Sequence, residues 1–277
     1  MKKILAAFDG TKYSEGASKY AIELAKASHA MLVGVFIQDM RYTSFTYAYA
    51  WDQPFVDFTS IEKSQQEEKE KIDLNIKLFK RACEDKGVHH KIHLDKGVPL
   101  HELQNESAFS DLIIIDSQTG FFSLGDKNPS TFLKDFLTES YCPVLIVPHH
   151  YTFFDKAVLC YDGSPSSVYA IKMFNYLFPE LRDLETVVAT VNETSSNHLK
   201  EGWNFKDLIQ LHYKNSDYMV MKGNAEEELI TYLKTSGEHA VVVMGAYGRS
   251  AISKLFHQSL SNRVIQEVNV PVFITHL

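Results

Sequence analysis

The sequence predicts an α/β protein made of two repeated five-stranded doubly wound parallel sheets, with helices on both faces. Three observations carry this. The strand-like runs LIII (Leu112–Ile115) and VVVM (Val241–Met244) are apolar throughout instead of alternating, as strands covered on both faces are. They alternate with stretches of helical period, the pattern of a parallel sheet with crossover helices. The whole alternation also occurs twice.

The repeat is visible at both ends of each unit. KKILAAFDGTKYSEGASKYAIELA matches KAVLCYDGSPSSVYAIKMF, with Asp9 on Asp162. DLIIIDSQTG matches AVVVMGAYG, and CPVLIVPH matches VPVFITHL. Between these anchors GVPLHEL matches GNAEEEL, with Gly97 on Gly223. The two offsets differ, so the first unit carries an insertion.

In order, Lys3–Phe8 reads as a strand, Ser14–Ala27 as a helix and Met31–Ile37 as a strand. Ile61–Asp85 is a long charged helix with Ile72, Ile76, Phe79 and Cys83 on one stripe. A strand (Val88–Leu94), a helix (Leu100–Ala108), a strand (Asp111–Ile115), a helix (Thr131–Tyr141) and a strand (Val144–Val147) complete the unit. The second unit gives strands at 157–161, 185–191, 217–222, 240–244 and 272–275, and helices near 166–177, 204–214, 225–235 and 251–267. The domains expected are 1–148, with an aromatic insertion at 39–60, and 155–277. The connection HHYTFFDK lies between them. The apolar fifth strands are expected to pair across a pseudo-twofold axis, covering two edges in an intramolecular pseudo-dimer.

Composition narrows the function. With 277 residues, 45% hydrophobic and 23% charged, the chain has the make-up of an ordinary globular protein. A net charge of −7 argues against a nucleic-acid surface. The apolar run Ile4–Phe8 stops at Asp9, too short for a signal peptide, and no stretch approaches a membrane span. Three scattered cysteines form no CxxC pattern and suit a reducing compartment. A cytoplasmic protein without membrane or nucleic-acid partners is expected.

Ligands of doubly wound sheets bind beyond the carboxyl ends of the strands, where the winding reverses. Asp162-Gly163-Ser164 follows the first strand of the second unit, and Gly245-Ala246-Tyr247-Gly248 follows the fourth. Gly245 and Gly248 let backbone approach an anion closely, and N–H groups there and at the next helix start point positive charge at it. Arg249 adds a full charge, and Ser259, Ser261 and Asn262 add hydrogen-bonding groups. Asp162 suits a hydroxyl or amino group of the ligand.

Across both halves the sequence resembles a tandem universal stress protein. Nucleotide-binding members of that family carry Gly-x2-Gly-x9-Gly-Ser/Thr after the fourth strand and an Asp after the first. Gly245, Gly248, Ser259 and Asp162 match this pattern, while Gln258 stands at the third glycine. The resemblance implies ATP or another adenine nucleotide in the second unit only, with allowance for magnesium. It places Val191 near the adenine and Gly223 near the pocket wall, and brings Met244 and Leu260 to the site beside Gly245 and Ser259. In the first unit Asp116 falls on Gly245, Thr119 on Gly248, Pro129 on Gln258 and Ser130 on Ser259. A carboxylate at Asp116 would repel phosphates. The first unit is therefore expected to keep Asp9 and to bind nucleotide poorly or not at all.

Other signals have plainer readings. Residues 41–60 hold Tyr42, Phe45, Tyr47, Tyr49, Trp51, Phe55 and Phe58, a candidate lid or protein-docking surface, or a loop packed on its own domain. His89, His90 and His93 share a strand without converging, and no metal motif occurs. The run EKSQQEEKEKIDLNIK is a solvated helix face. No GxSxG elbow or Walker A loop is present, so no catalytic residues are assigned. The expectation is a non-catalytic nucleotide-binding sensor or adaptor in the stress response. Slow ATP hydrolysis or phosphotransfer through Ser259 or Asp162 is one alternative, and a nucleotide-free interaction module is the other.

Overall fold

The computed structural model describes residues 1–40, 58–121, 129–192, 202–236, 239–245 and 253–275, with backbone only at 58, 60, 236 and 253–259. The aromatic insertion lies almost wholly outside the described residues, as do Gly248 and Arg249.

The first half runs β1 (Lys3–Asp9), α1 (Glu15–Ser28), β2 (Met31–Asp39), α2 (Phe58–Lys86), β3 (His90–Gly97), α3 (Pro99–Ser107), β4 (Leu112–Asp116), α4 (Thr131–Glu139) and β5 (Val144–Val147). The second runs β6 (Lys156–Cys160), α5 (Pro165–Leu177), β7 (Glu185–Asn192), α6 (Gly202–His212), β8 (Ser216–Lys222), α7 (Ala225–Ser236), β9 (Ala240–Gly245), α8 (Ser253–Glu267) and β10 (Val272–Thr275). Among the described residues a short 3-10 turn at Pro179–Leu181 lies between α5 and β7.

The two five-stranded units join through their fifth strands into one sheet of ten, in the order β3-β2-β1-β4-β5-β10-β9-β6-β7-β8. Pairing is parallel within each half. At the centre β5 and β10 run antiparallel, with Leu145 opposite Phe273. Both strands are buried throughout, so their pairing satisfies backbone groups that would otherwise face an apolar surface unpaired.

Successive residues of each strand point to opposite faces, and the core accordingly divides in two. Ile4, Phe8, Leu145, Leu159 and Phe273 pack on one face with Tyr20, Phe79, Phe174 and Phe205 from α1, α2, α5 and α6. Leu5, Ile113, Ile146, Val242 and Ile274 pack on the other with Leu103, Leu133, Leu229 and Val264 from α3, α4, α7 and α8. Of the α2 stripe, Ile72, Phe79 and Cys83 are fully buried and Ile76 packs at the margin.

Several boundaries move by two or three residues, and at the start of the third strand the cause is visible. The third strand begins at His90 and not Val88, because Gly87, at φ +67°, ends α2 and the Val88 N–H donates to the Cys83 carbonyl at 2.9 Å. Val88 thus completes the helix terminus instead of joining the sheet. The connection between the halves is held on both sides. Tyr20 donates its hydroxyl proton to the Thr152 carbonyl and stacks near Tyr151 and Phe154, while the Asp155 N–H donates to the His239 carbonyl at 3.0 Å.

Candidate functional site

In each half the strand order reverses between the first and fourth strands, β1/β4 and β6/β9. Both pairs of strand ends open onto a crevice.

In the second half the crevice is lined by Asp162, Ser167, Val191, Met244, Gly245 and Leu260, all but Ser167 expected from the sequence, together with Cys160, Tyr161, Ala189, Ala225 and Leu229. Asp162 lies just past β6, and its Oδ1 accepts the Ser164 N–H at 2.8 Å. Gly163 takes φ +84°, the left-handed turn that aims the chain into α5. Ser164 caps that helix by accepting the Ser167 N–H at 3.1 Å, and Pro165 occupies its first turn.

Gly245 is needed for close approach. A Cβ built there would stand 2.3 Å from the Ser166 carbonyl oxygen and 2.6 Å from the Ser167 nitrogen. The end of β9 therefore touches the first turn of α5 backbone to backbone. Among the described residues the buried Ser166 hydroxyl has no hydrogen-bond partner.

Gly223 is not among the lining residues; it holds φ +132° two residues before Ala225, where Asn224 caps α7 by accepting the Glu226 N–H at 3.0 Å. Ala225 and Leu229 of α7 do line the cavity. Gly163 and Ser164 shape the turn and do not line the cavity. Gln258 and Ser259 lie inside α8, which begins at Ser253, so their backbone N–H groups are not at the helix terminus where free donors occur. The wall residues Cys160, Ala189 and Leu229 carry no polar signal that a sequence reading would single out. Burial pushes the Cys160 thiol up to about 12, so it contributes a neutral apolar surface at physiological pH.

The enclosed part of this cavity holds about 70 Å³, room for the edge of a planar group. A whole nucleotide needs several hundred Å³. Residues 246–252, which follow Gly245, lie outside the described residues.

The first-half crevice is larger, about 300 Å³, but of opposite character. The Asp116 carboxylate is buried within it. Its Oδ2 accepts from the Ser14 hydroxyl at 2.6 Å and lies 2.7 Å from His149 Nδ1, and its Oδ1 accepts the Gln118 N–H at 2.7 Å. Ser14 in turn caps α1, accepting the Ala17 N–H at 3.0 Å. The protein's own carboxylate thus stands at the helix entrance where an anion would bind. Ser130, the counterpart of Ser259, donates to the Thr119 carbonyl at 2.7 Å and caps α4. His149, which the sequence placed in the connection, was not expected here.

Asp9 lines the same crevice. Its Oδ1 accepts from the Thr11 N–H and hydroxyl. Burial nevertheless raises its pKa, outweighing those bonds and Lys12. A carboxyl whose pKa is raised on folding loses stability as pH rises from the unfolded value through the folded one. The Asp9→Asn variant is therefore expected to melt higher than the wild type at pH 7. This gain should shrink as pH falls below the carboxylate range, as measured by thermal melts across pH.

Among the described residues no group of three His, Cys, Asp or Glu side chains is placed to hold a metal ion, and no helix is long and apolar enough to cross a membrane.

A doubled, doubly wound α/β unit with one crevice per half, joined through its fifth strands, defines a narrow class of proteins. The sequence profile described as the universal stress protein family matches residues 1–121 and 154–276, and the chain belongs to that family. It is similar to the universal stress protein Slr1230 of Synechocystis sp., 23% identical, with 98% of this chain and 99% of that protein covered. Its fold is similar to that of a universal stress protein from Archaeoglobus fulgidus, with a TM-score of 0.70, 16% identity and 99% and 98% of the two chains covered. A putative universal stress protein from Pseudomonas aeruginosa gives a TM-score of 0.58 at 13% identity, over 100% and 93% of the two chains.

Proposed function

We propose that the protein is a non-catalytic adenine-nucleotide-binding member of its family, with one working site, in the second half. The observation that carries this reading is the contrast between the crevices. Asp162 and Gly245 meet around an apolar slot free of buried carboxylates among its described lining, whereas Asp116 fills the equivalent position in the first half. At 4 Å and an effective dielectric of about 20, two like unit charges repel by about 4 kcal/mol, roughly a thousandfold in affinity. Charge therefore outweighs the larger size of the first crevice.

In this reading the base enters the slot between Val191, Met244 and Leu260, and Asp162 accepts from a ribose hydroxyl or the base. The phosphates, with magnesium where present, lie toward Gly245, Gly248 and Arg249. Role and ligand are both tested by calorimetric titration with ATP, ADP and AMP, followed by an assay of phosphate release. Saturable binding with no turnover above background is expected. Turnover would establish a weak ATPase instead.

The small enclosed volume favours one other reading, a nucleotide-free interaction module. Absence of binding at millimolar nucleotide would establish that reading.

A further inference from the structure

We propose that a second cavity, between α5 and α6 on the opposite side of the Asp162 turn, binds a small aromatic carboxylate. It holds about 500 Å³, within the range of small-molecule sites. Its floor is the ring pair Tyr161 and Phe205, parallel within 7° with centroids 3.6 Å apart, both buried. Val168 and Tyr169 of α5 and Leu208 of α6 form the walls. Along α5 Val168, Tyr169 and Lys172 follow one another at helical spacing, so they share one face. The lining is mostly apolar and aromatic, which suits a flat ring.

One cation sets the sign of the ligand. Lys172 lines the cavity half-buried, and no acidic side chain among the described residues pairs with it. Three other lysines of this half have carboxylate partners: Lys156 with Glu185, Lys214 with Asp183, and Lys234 with Glu267. An unpaired ammonium beside an aromatic pocket fits a ring bearing a carboxylate, which takes the charge-assisted hydrogen bond while the ring covers the stacked floor. Tyr161 also lines the nucleotide crevice, so the two cavities share a residue but not a ligand chemistry.

The test uses the full chain and 2-naphthoate, followed by calorimetry and by fluorescence of Trp203, which opens α6 beside the groove. Saturable one-to-one binding is expected, with Kd on the order of 10–100 µM. Lys172→Gln should weaken it about tenfold, and the neutral 2-naphthamide should bind the wild type about as weakly as naphthoate binds that variant. Val168→Trp, which fills the groove, should abolish binding. No saturable signal at millimolar naphthoate would overturn the proposal. So would affinity unchanged in both variants, or equal affinity for acid and amide.

Discussion

Replacing Gly245 with alanine is expected to destabilise the protein by about 3 kcal/mol, at the upper end of overpacking effects. The added methyl group would stand 2.3 Å from the Ser166 carbonyl oxygen, 2.4 Å from the Ser166 carbonyl carbon and 2.6 Å from the Ser167 nitrogen. These are backbone atoms of the first turn of α5, so no side-chain rotation relieves the contact. Neither partner yields easily. β9 is hydrogen-bonded on both sides, to β6 and β10, and α5 is held to the sheet by Ile171 and Phe174 in the core. The measurement is the shift of the urea midpoint against wild type. Gly202→Ala serves as the control, because a Cβ there meets nothing within 4 Å. That control should change stability by less than about 0.5 kcal/mol. A Gly245→Ala protein as stable as the control would show that α5 moves away from β9, and the backbone seam would lose its place in the site.

Asp116→Ala should cost a comparable amount, about 3 kcal/mol. The side chain is buried, and three donors or near neighbours converge on it: the Ser14 hydroxyl, the Gln118 N–H and His149. Alanine leaves the Ser14 hydroxyl and the Gln118 N–H without their acceptor. It also frees the start of the connection between the halves, since His149 is held by its ring to Asp116 and by its carbonyl to the Gly16 N–H at 2.8 Å. Asp116→Asn keeps one oxygen for these donors and should lose less. Thermal melts of the two variants give the comparison. Equal stability of wild type and Asp116→Ala would mean that the internal carboxylate is not what organises the first crevice.

Much of the fold was legible because burial on both faces leaves a plain mark. Apolar runs such as Val241–Met244 are readable as central parallel strands, and the repeat of Asp9 at Asp162 showed that both halves carry the same succession of strands and helices. The meeting of β5 with β10 followed from two short apolar strands that needed partners. The register of that meeting, Leu145 opposite Phe273, could not be read, because both strands are apolar throughout and no alternation favours one alignment over another.

The site was legible only in part. Asp162 and Gly245 announced themselves as turn residues after apolar strands. The slot's walls did not: Cys160, Ala189 and Leu229 look like any core residue. His149 was invisible because its partner, Asp116, is 33 residues away in the chain.

The central claim is one nucleotide site per chain, on Asp162 and not on Asp9. Calorimetric titration of ATP into the wild type, Asp162→Ala and Asp9→Ala tests it directly. The account predicts one equivalent bound by the wild type and by Asp9→Ala with similar affinity, and at least about tenfold weaker binding by Asp162→Ala. Two equivalents per chain, or loss of binding in Asp9→Ala with Asp162→Ala unaffected, would contradict it.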